Sequence, residues 1–476
     1  MNNALILHED RLFSSNADER SIARTLYEGV KDLPIISPHG HTDPEWFSSN
    51  EAFSDPVSLL IQPDHYLLRV LYSRGIQMEA LGISGIDGSQ TATDMRSIWR
   101  LFAENYDLFL GTPSRIWLNH TFATVFDIKE RLSADTADAS FDRISECLAQ
   151  PAFRPRALFD QFNISLLATT ESPLDDLSHH DTINKSDWSG RIITTYRPDP
   201  VVDPEYEGFS ENVAELGQLT GEDTSNWQGY LQAHRIRREY FKARGATSTD
   251  HGHPAATTCD LDLAECEKLY EKVRSGKANA KESDQFRGQM LVEMAAMSIE
   301  DGLVMQIHPG VYRNHNPILF RGYGRDKGAD IPVAADFVHA LKPLLDRFGN
   351  DRRLSLILFT LDETSYSREL APLAGHYPCL TLGPAWWFFD SPEGMLRYKR
   401  TVIETTGFYN TAGFNDDTRA FLSIPARHDV ARRIDCRHLA ELVCDHRIAE
   451  DEAVELSRQL ANGLAIEAYR LKLSDV

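Results

Sequence analysis

Short apolar runs separated by longer helical stretches set the plan of this chain. Eight runs read as strands: 34–39, 164–170, 191–197, 246–251, 303–308, 354–361, 379–382 and 408–414, the last being the least regular. Between them the apolar period changes to that of a helix. Ile22, Leu26 and Val30 predict a helix over 18–31, ahead of the first strand. Pro63-Asp64 opens a second through Leu67, Leu68 and Leu71, with Gly75 as its stop. Thr93 is the candidate N-cap of a helix through Ile98, Leu101 and Phe102, and Thr112-Pro113 joins an N-cap to a proline at the first helical position. A helical insertion of roughly 50–155 therefore separates the first strand from the second. The polar stretch 275–285 reads as an exposed loop or a helix end.

Strands that alternate with helices make parallel β/α units, and eight such units make a barrel whose chemistry sits at the C-terminal strand ends. The expected fold is α/β, a distorted (β/α)8 TIM barrel with a helical insertion after strand one. Residues 1–50 would hold the N-terminal helix and first strand, 51–155 the insertion, and 156–476 the remainder of the barrel. A doubly wound open sheet is the alternative, but no Gly-x-Gly-x-x-Gly follows an early strand. A length of 476 residues suits one large barrel or two domains.

Charge narrows the partners. With 71 acidic against 49 basic residues the net charge is −22, so nucleic acid is excluded as an expected partner. An anionic small molecule would need specific arginines to overcome the general repulsion. The six cysteines form no Cys-x-x-Cys, the stretch 1–13 has no signal-peptide core, and no apolar run approaches a membrane span. A cytoplasmic protein with no membrane partner is expected, and homo-oligomerisation is left open.

Ionisable residues gather at the strand exits. His39-Gly40-His41 leaves the first run; residues two apart share a side of a strand, so both imidazoles can face one ion, with Gly40 keeping the backbone slim. Asp416 and Asp417 follow the eighth run and compete for a third ligand position. Arg197, Arg313 and Arg419 each follow a strand, and the guanidinium fork suits a carboxylate. His308 ends the fifth strand, His251 ends the fourth, and Trp386-Trp387 after the seventh offers a surface for a sugar ring. In the insertion, His65, Tyr66 and Arg69 can share a helix face opposite Leu67, Leu68 and Leu71, and a histidine beside a tyrosine can move protons.

These motifs, in this order, resemble uronate isomerase (glucuronate isomerase), an outlying family of the amidohydrolase superfamily. The resemblance is carried by His39-Gly40-His41, Asp64-His65-Tyr66 with Arg69, Tyr196-Arg197-Pro198-Asp199, and Met305-Gln306-Ile307-His308 with Arg313-Asn314. Ala385-Trp386-Trp387-Phe388 and Asp417-Thr418-Arg419 with Phe421-Leu422-Ser423 complete it. Departures fall at Thr170-Glu171-Ser172-Pro173, at Leu361-Asp362-Glu363, and at Gly40 and Pro309. The resemblance implies exchange between aldouronates and ketouronates, such as D-glucuronate with D-fructuronate or D-galacturonate with D-tagaturonate, by C2–C1 proton transfer through an enediol. It implies His39, His41 and Asp417 as ligands of a divalent metal, foremost Zn2+. It implies Asp417 and His65 in opening the sugar ring and Tyr66 as the C2–C1 proton carrier. Arg197 and Arg419 would bind the carboxylate and neighbouring oxygens, while His308, Arg313, Trp386 and Trp387 line the pocket. Two rivals remain at this level: a metal-dependent hydrolase with further histidine ligands from the middle strands, and a non-catalytic uronate-binding protein.

Overall fold

Seven of the eight apolar runs become parallel strands of one curled sheet in the computed structural model, which describes residues 3–472. In chain order the strands are β1 (Ile35–Ser37), β2 (Ile164–Glu171), β3 (Ile192–Tyr196), β4 (Ser248–His251) and β5 (Val304–Ile307). Then come β6 (Val311–Tyr312), β7 (Ile331–Pro332), β8 (Leu356–Leu358) and β9 (Leu380–Leu382). The sheet order is β1-β2-β3-β4-β5-β8-β9, while β6 and β7 pair antiparallel as a separate ribbon, an element the sequence pattern did not announce. The sheet strands are buried on both faces, as parallel strands covered by helices must be.

The expected eighth strand is not one. Residues 408–414 touch the sheet by a single parallel bridge, Leu382 to Thr411. Its backbone is bent at both ends by Gly407 and Gly413, whose φ angles are +71° and +69°. The Thr411 hydroxyl donates to Phe408 O (2.7 Å) and the Asn410 amide to Thr406 O (2.8 Å), so local turns use the polar side chains of this run. The loops beyond it still meet β1's exit, where His41 N–H donates to Thr418 O (3.1 Å).

Helices fill the span from Pro44 to Gln161 between β1 and β2. The helix His65–Ser73 starts at Asp64, whose carboxylate accepts from the N–H groups of Tyr66 and Leu67. Thr112 caps Pro113–Thr124 as the sequence suggests, whereas Asp94, not Thr93, caps Met95–Glu104: its carboxylate accepts from Arg96 N–H (3.1 Å). The stretch 275–285 is a turn that runs into the long helix Ala280–Asp301, opened by a reciprocal cap between Asn279 and Glu282. Leu67, Leu68 and Leu71 are fully buried in one cluster with Phe102, Phe109 and Phe122, which ties the helix His65–Ser73 into the core of the insertion. Inside the curl of the sheet, Ile36, Leu166, Ile193, Val304 and Ile357 pack with Ala465 and Tyr469 from the C-terminal end. No helix among the described residues is long and apolar enough to cross a membrane.

Candidate active site

Past the C-terminal ends of the strands opens a cavity of about 890 Å³, a size suited to a small ligand. His39 and His41 follow β1 rather than sit on it, and their rings meet edge to face at 5.3 Å. Asp417 faces both: its Oδ1 lies 3.6 Å from Nε2 of His39 and 3.2 Å from Nε2 of His41. The three ligand atoms all lie within 4.8 Å of one another, the one such cluster among the described residues. Asp417 adopts φ +38°, a left-handed turn that aspartate tolerates better than most residues and that aims its carboxylate at the pair. Gly40 is not demanded by crowding, because a Cβ there would meet Ala168 O and Thr418 O at an ordinary 3.5 Å.

Two observations fit this cluster to a divalent ion. Asp417 Oδ1 is buried without a hydrogen-bond partner although two imidazole nitrogens converge on it. Its other oxygen is held by the indole N–H of Trp386. Two nitrogens and one carboxylate with a free side make an open site for such an ion. Burial works to raise the Asp417 pKa, but the two imidazoles and the indole N–H hold the carboxyl well below its usual range. Asp416, the other candidate, turns away and pairs with His428 Nε2 at 3.0 Å. His251 is buried behind the cavity with Nε2 3.0 Å from Thr249 Oγ1, so it adds no further ligand.

His65 and Tyr66 both line the cavity, and Tyr66 is only 6% exposed. Their rings stack at 4.7 Å, and Trp387 stands edge-on to His65 at 5.4 Å. Burial, reinforced by Arg419, pushes the His65 pKa down to about 3, so the imidazole is uncharged at neutral pH. The Tyr66 hydroxyl donates to Asp390 Oδ2 (2.8 Å), and burial together with that carboxylate raises its pKa well above 10. Arg69 lies over the rings of Tyr66 and Phe388.

The three arginines line the same cavity and already hold carboxylates of this chain. Arg197 donates to Asp199 (2.9 Å) and lies 3.2 Å from Asp250 Oδ2; Arg313 pairs with Asp330 and Arg419 with Asp326, each at 2.9 Å. Asp326 and Asp330 belong to the segment between β6 and β7 that folds over the cavity's rim, so the ribbon supplies partners no local motif announced. His308 Nε2 lies 2.7 Å from Asp250 Oδ1, and its ring packs at 4.7 Å on Trp386. Burial alone would raise the Asp250 pKa, but His308 and Arg197 hold it well below the usual range. Glu171, at the end of β2, is the opposite case: burial pushes it up to about 8 against hydrogen bonds from threonine hydroxyls. Asp390 and Arg427 are site residues that motif reading passed over, whereas Asp250 and Glu171 were in view without an assigned role. Asp250 and Glu171 stand at strand exits; Asp390 follows the Trp-Trp-Phe run by two residues; Arg427 lies inside a helix and carries no local signal.

The chain is similar to known proteins over almost its whole length. The glucuronate isomerase family model matches residues 7–467. A uronate isomerase of Rhizorhabdus wittichii is 62% identical, with 98% of this chain and 99% of that protein covered. One of Xanthomonas axonopodis pv. citri is 61% identical over the same shares. The crystal structure of glucuronate isomerase from Caulobacter crescentus superposes with a TM-score of 0.97 at 57% identity, covering 99% of this chain and 98% of that one. The chain belongs to the glucuronate isomerase family.

Proposed function

We propose that this enzyme interconverts aldouronates and ketouronates, D-glucuronate with D-fructuronate and D-galacturonate with D-tagaturonate, by moving a proton between C2 and C1. The observation that carries the reading is one cavity in which Tyr66 and neutral His65 stand beside the His39–His41–Asp417 cluster under three arginines. Arg197 and Arg419 grip the carboxylate and adjacent oxygens, Arg313 and the two tryptophans hold the sugar's flank, and His308 bonds a hydroxyl. A divalent ion at the cluster, Zn2+ in this proposal, would stabilise negative charge on a substrate oxygen.

The open-chain aldose loses its C2 proton to Tyr66 while O1 gains a proton, which makes the enediol. Tyr66 then returns a proton to C1 as O2 loses its own, which leaves the ketose. His65 and Asp417 serve the hydroxyl protons, including the transfer from O1 to O5 that opens the ring. No histidine from the middle strands joins the cluster among the described residues, so nothing favours the hydrolase reading.

An NMR time course of each uronate in deuterated water tests this. Tyr66→Phe keeps the ring but removes the phenolic oxygen, and isomerisation should fall about 10²–10⁴-fold. Equal rates in both proteins would remove Tyr66 from the mechanism. Absence of ketose from either uronate, with hydrolysis of a lactone instead, would overturn the assignment.

A further inference from the structure

Asp390 is a buried carboxylate behind the cavity wall, and its surroundings are only half complete. Its Oδ2 accepts from the Tyr66 hydroxyl (2.8 Å) and from Arg427 Nη1 (2.9 Å). Its Oδ1 is buried with no hydrogen-bond partner at all. Arg427 does not present its fork to this carboxylate. It spends Nε on Ser423 Oγ (3.1 Å), lies 3.6 Å from the centre of the Trp117 ring, and reaches Asp390 with one N–H. A carboxylate that is desolvated, singly bonded by its arginine and unsatisfied at one oxygen gains more than usual from taking a proton. Among the described residues, the only hydroxyl donor bonded to it is the one on Tyr66.

The turn that delivers Asp390 is strained. Phe388 sits at φ +71°, a region bulky side chains avoid, and its ring is pinned under Arg69 at 4.5 Å. That turn sends Trp386 and Trp387 into the cavity and brings Asp390 against Tyr66, 324 residues away in sequence.

We propose that Asp390 is the positioning residue that takes the Tyr66 phenolic proton while Tyr66 takes the substrate's C2 proton, and returns it when Tyr66 delivers to C1. The proposal rests on Tyr66 being the C2–C1 carrier. In the first half, the C2–H bond breaks, the tyrosine oxygen binds that hydrogen, and its original proton passes to Asp390 Oδ2. In the second half, the same hydrogen passes to C1 and the proton on Asp390 goes back. Proton count and charge on the pair are restored after each turnover, and no solvent proton is needed.

Asp390→Asn keeps size and shape but removes the acceptor. Its kcat at neutral pH should fall about a hundredfold, with KM changed by less than about threefold, since Asp390 lies behind the cavity lining. Two readouts separate this role from a structural one. First, Tyr66 in the variant can act only after it has ionised by itself, so kcat should rise about tenfold per pH unit in alkaline solution, a rise the wild-type enzyme should not show. Besides Asp390, the titratable and charged groups facing Tyr66 are Asp64 at the cap of its helix, the neutral His65 and Arg69 on that helix, and Arg427 and Asp417 from the opposite wall. All of them remain in the variant. Second, the double variant Tyr66→Phe/Asp390→Asn should be no slower than Tyr66→Phe alone.

A pH-independent loss, a loss that multiplies with that of Tyr66→Phe, or wild-type kcat in Asp390→Asn would each overturn the role of Asp390. Wild-type activity in Tyr66→Phe would instead overturn the carrier assignment beneath it. If Asp390→Asn unfolds, the same alkaline test applies to Asp390→Ser, which also lacks a carboxylate: its kcat should be low at neutral pH and rise in alkaline solution, and a pH-independent kcat there would overturn the relay.

Discussion

Replacing Trp386 with phenylalanine isolates one hydrogen bond to the proposed metal ligand. The indole N–H donates to Asp417 Oδ2, which leaves Oδ1 turned towards the two imidazoles. Phenylalanine keeps a ring against His308 and Phe359, which lie 4.7 and 5.8 Å away, so most of the packing survives. A buried hydrogen bond to a charged group is worth about 1.5–3 kcal/mol. Expressed as ion affinity that is roughly 10–150-fold, close to the 10–100-fold typical of losing an outer partner of a metal ligand. Metal-stripped protein titrated with Zn2+ in a chelator buffer reads the affinity directly. Thermal unfolding reads it again: at a fixed excess of ion, a hundredfold weaker site loses about 2.7 kcal/mol of metal-linked stability. Activity should return when the ion is raised to saturation. Trp387→Phe is the control, since its indole nitrogen has no bond to Asp417, and its ion affinity should match the wild type. Equal affinity in Trp386→Phe and wild type would refute the reasoning and move Trp386 to a role on substrate alone.

Arg419→Met should raise KM for uronates about 10–100-fold, towards the lower part of what a charged hydrogen bond contributes, because the Arg419 side chain is 42% exposed beside Asp326; unchanged kinetics would leave it as a partner of Asp326 only. Glu171→Gln should be more stable than the wild type by an amount that grows with pH. The folded-state pKa of about 8 stands above the ordinary glutamate value of 4.5, so the native protein binds more protons and wild-type stability falls between those values, by at most about 1.4 kcal/mol per pH unit. Denaturant titrations at pH 5, 6.5 and 8 check it, and a constant difference would mean that Glu171 ionises as freely in the fold as outside it.

Much of the site was legible because strand exits are local features. The His-x-His after β1, the arginines after β3 and the β5 segment, and the Asp64 cap that sets Tyr66 at a helix start all follow from short-range rules. The order of the motifs selected Asp417 over Asp416, and the geometry agrees, since Asp416 is paired with His428. The failures share a cause as well. The run 408–414 is apolar enough for a strand, but glycines at positive φ near its two ends and two side-chain turns limit its pairing to a single bridge with Leu382.

By itself, the sequence determined the type of element at most stretches and the residue classes at the strand exits, because these depend on the spacing of neighbours along the chain, and its composition determined the acidic character of the whole. Only the tertiary structure decided which charge meets which. The pairs Tyr66–Asp390, Arg427–Asp390, His308–Asp250 and Arg419–Asp326 join residues from different elements. Their distances are fixed by strained turns, sheet curvature and helix packing, and ionisation follows from those distances and from burial. Thus one carboxylate, Asp417, is held charged while another, Glu171, is driven towards its neutral form, although nothing in their local sequence separates them.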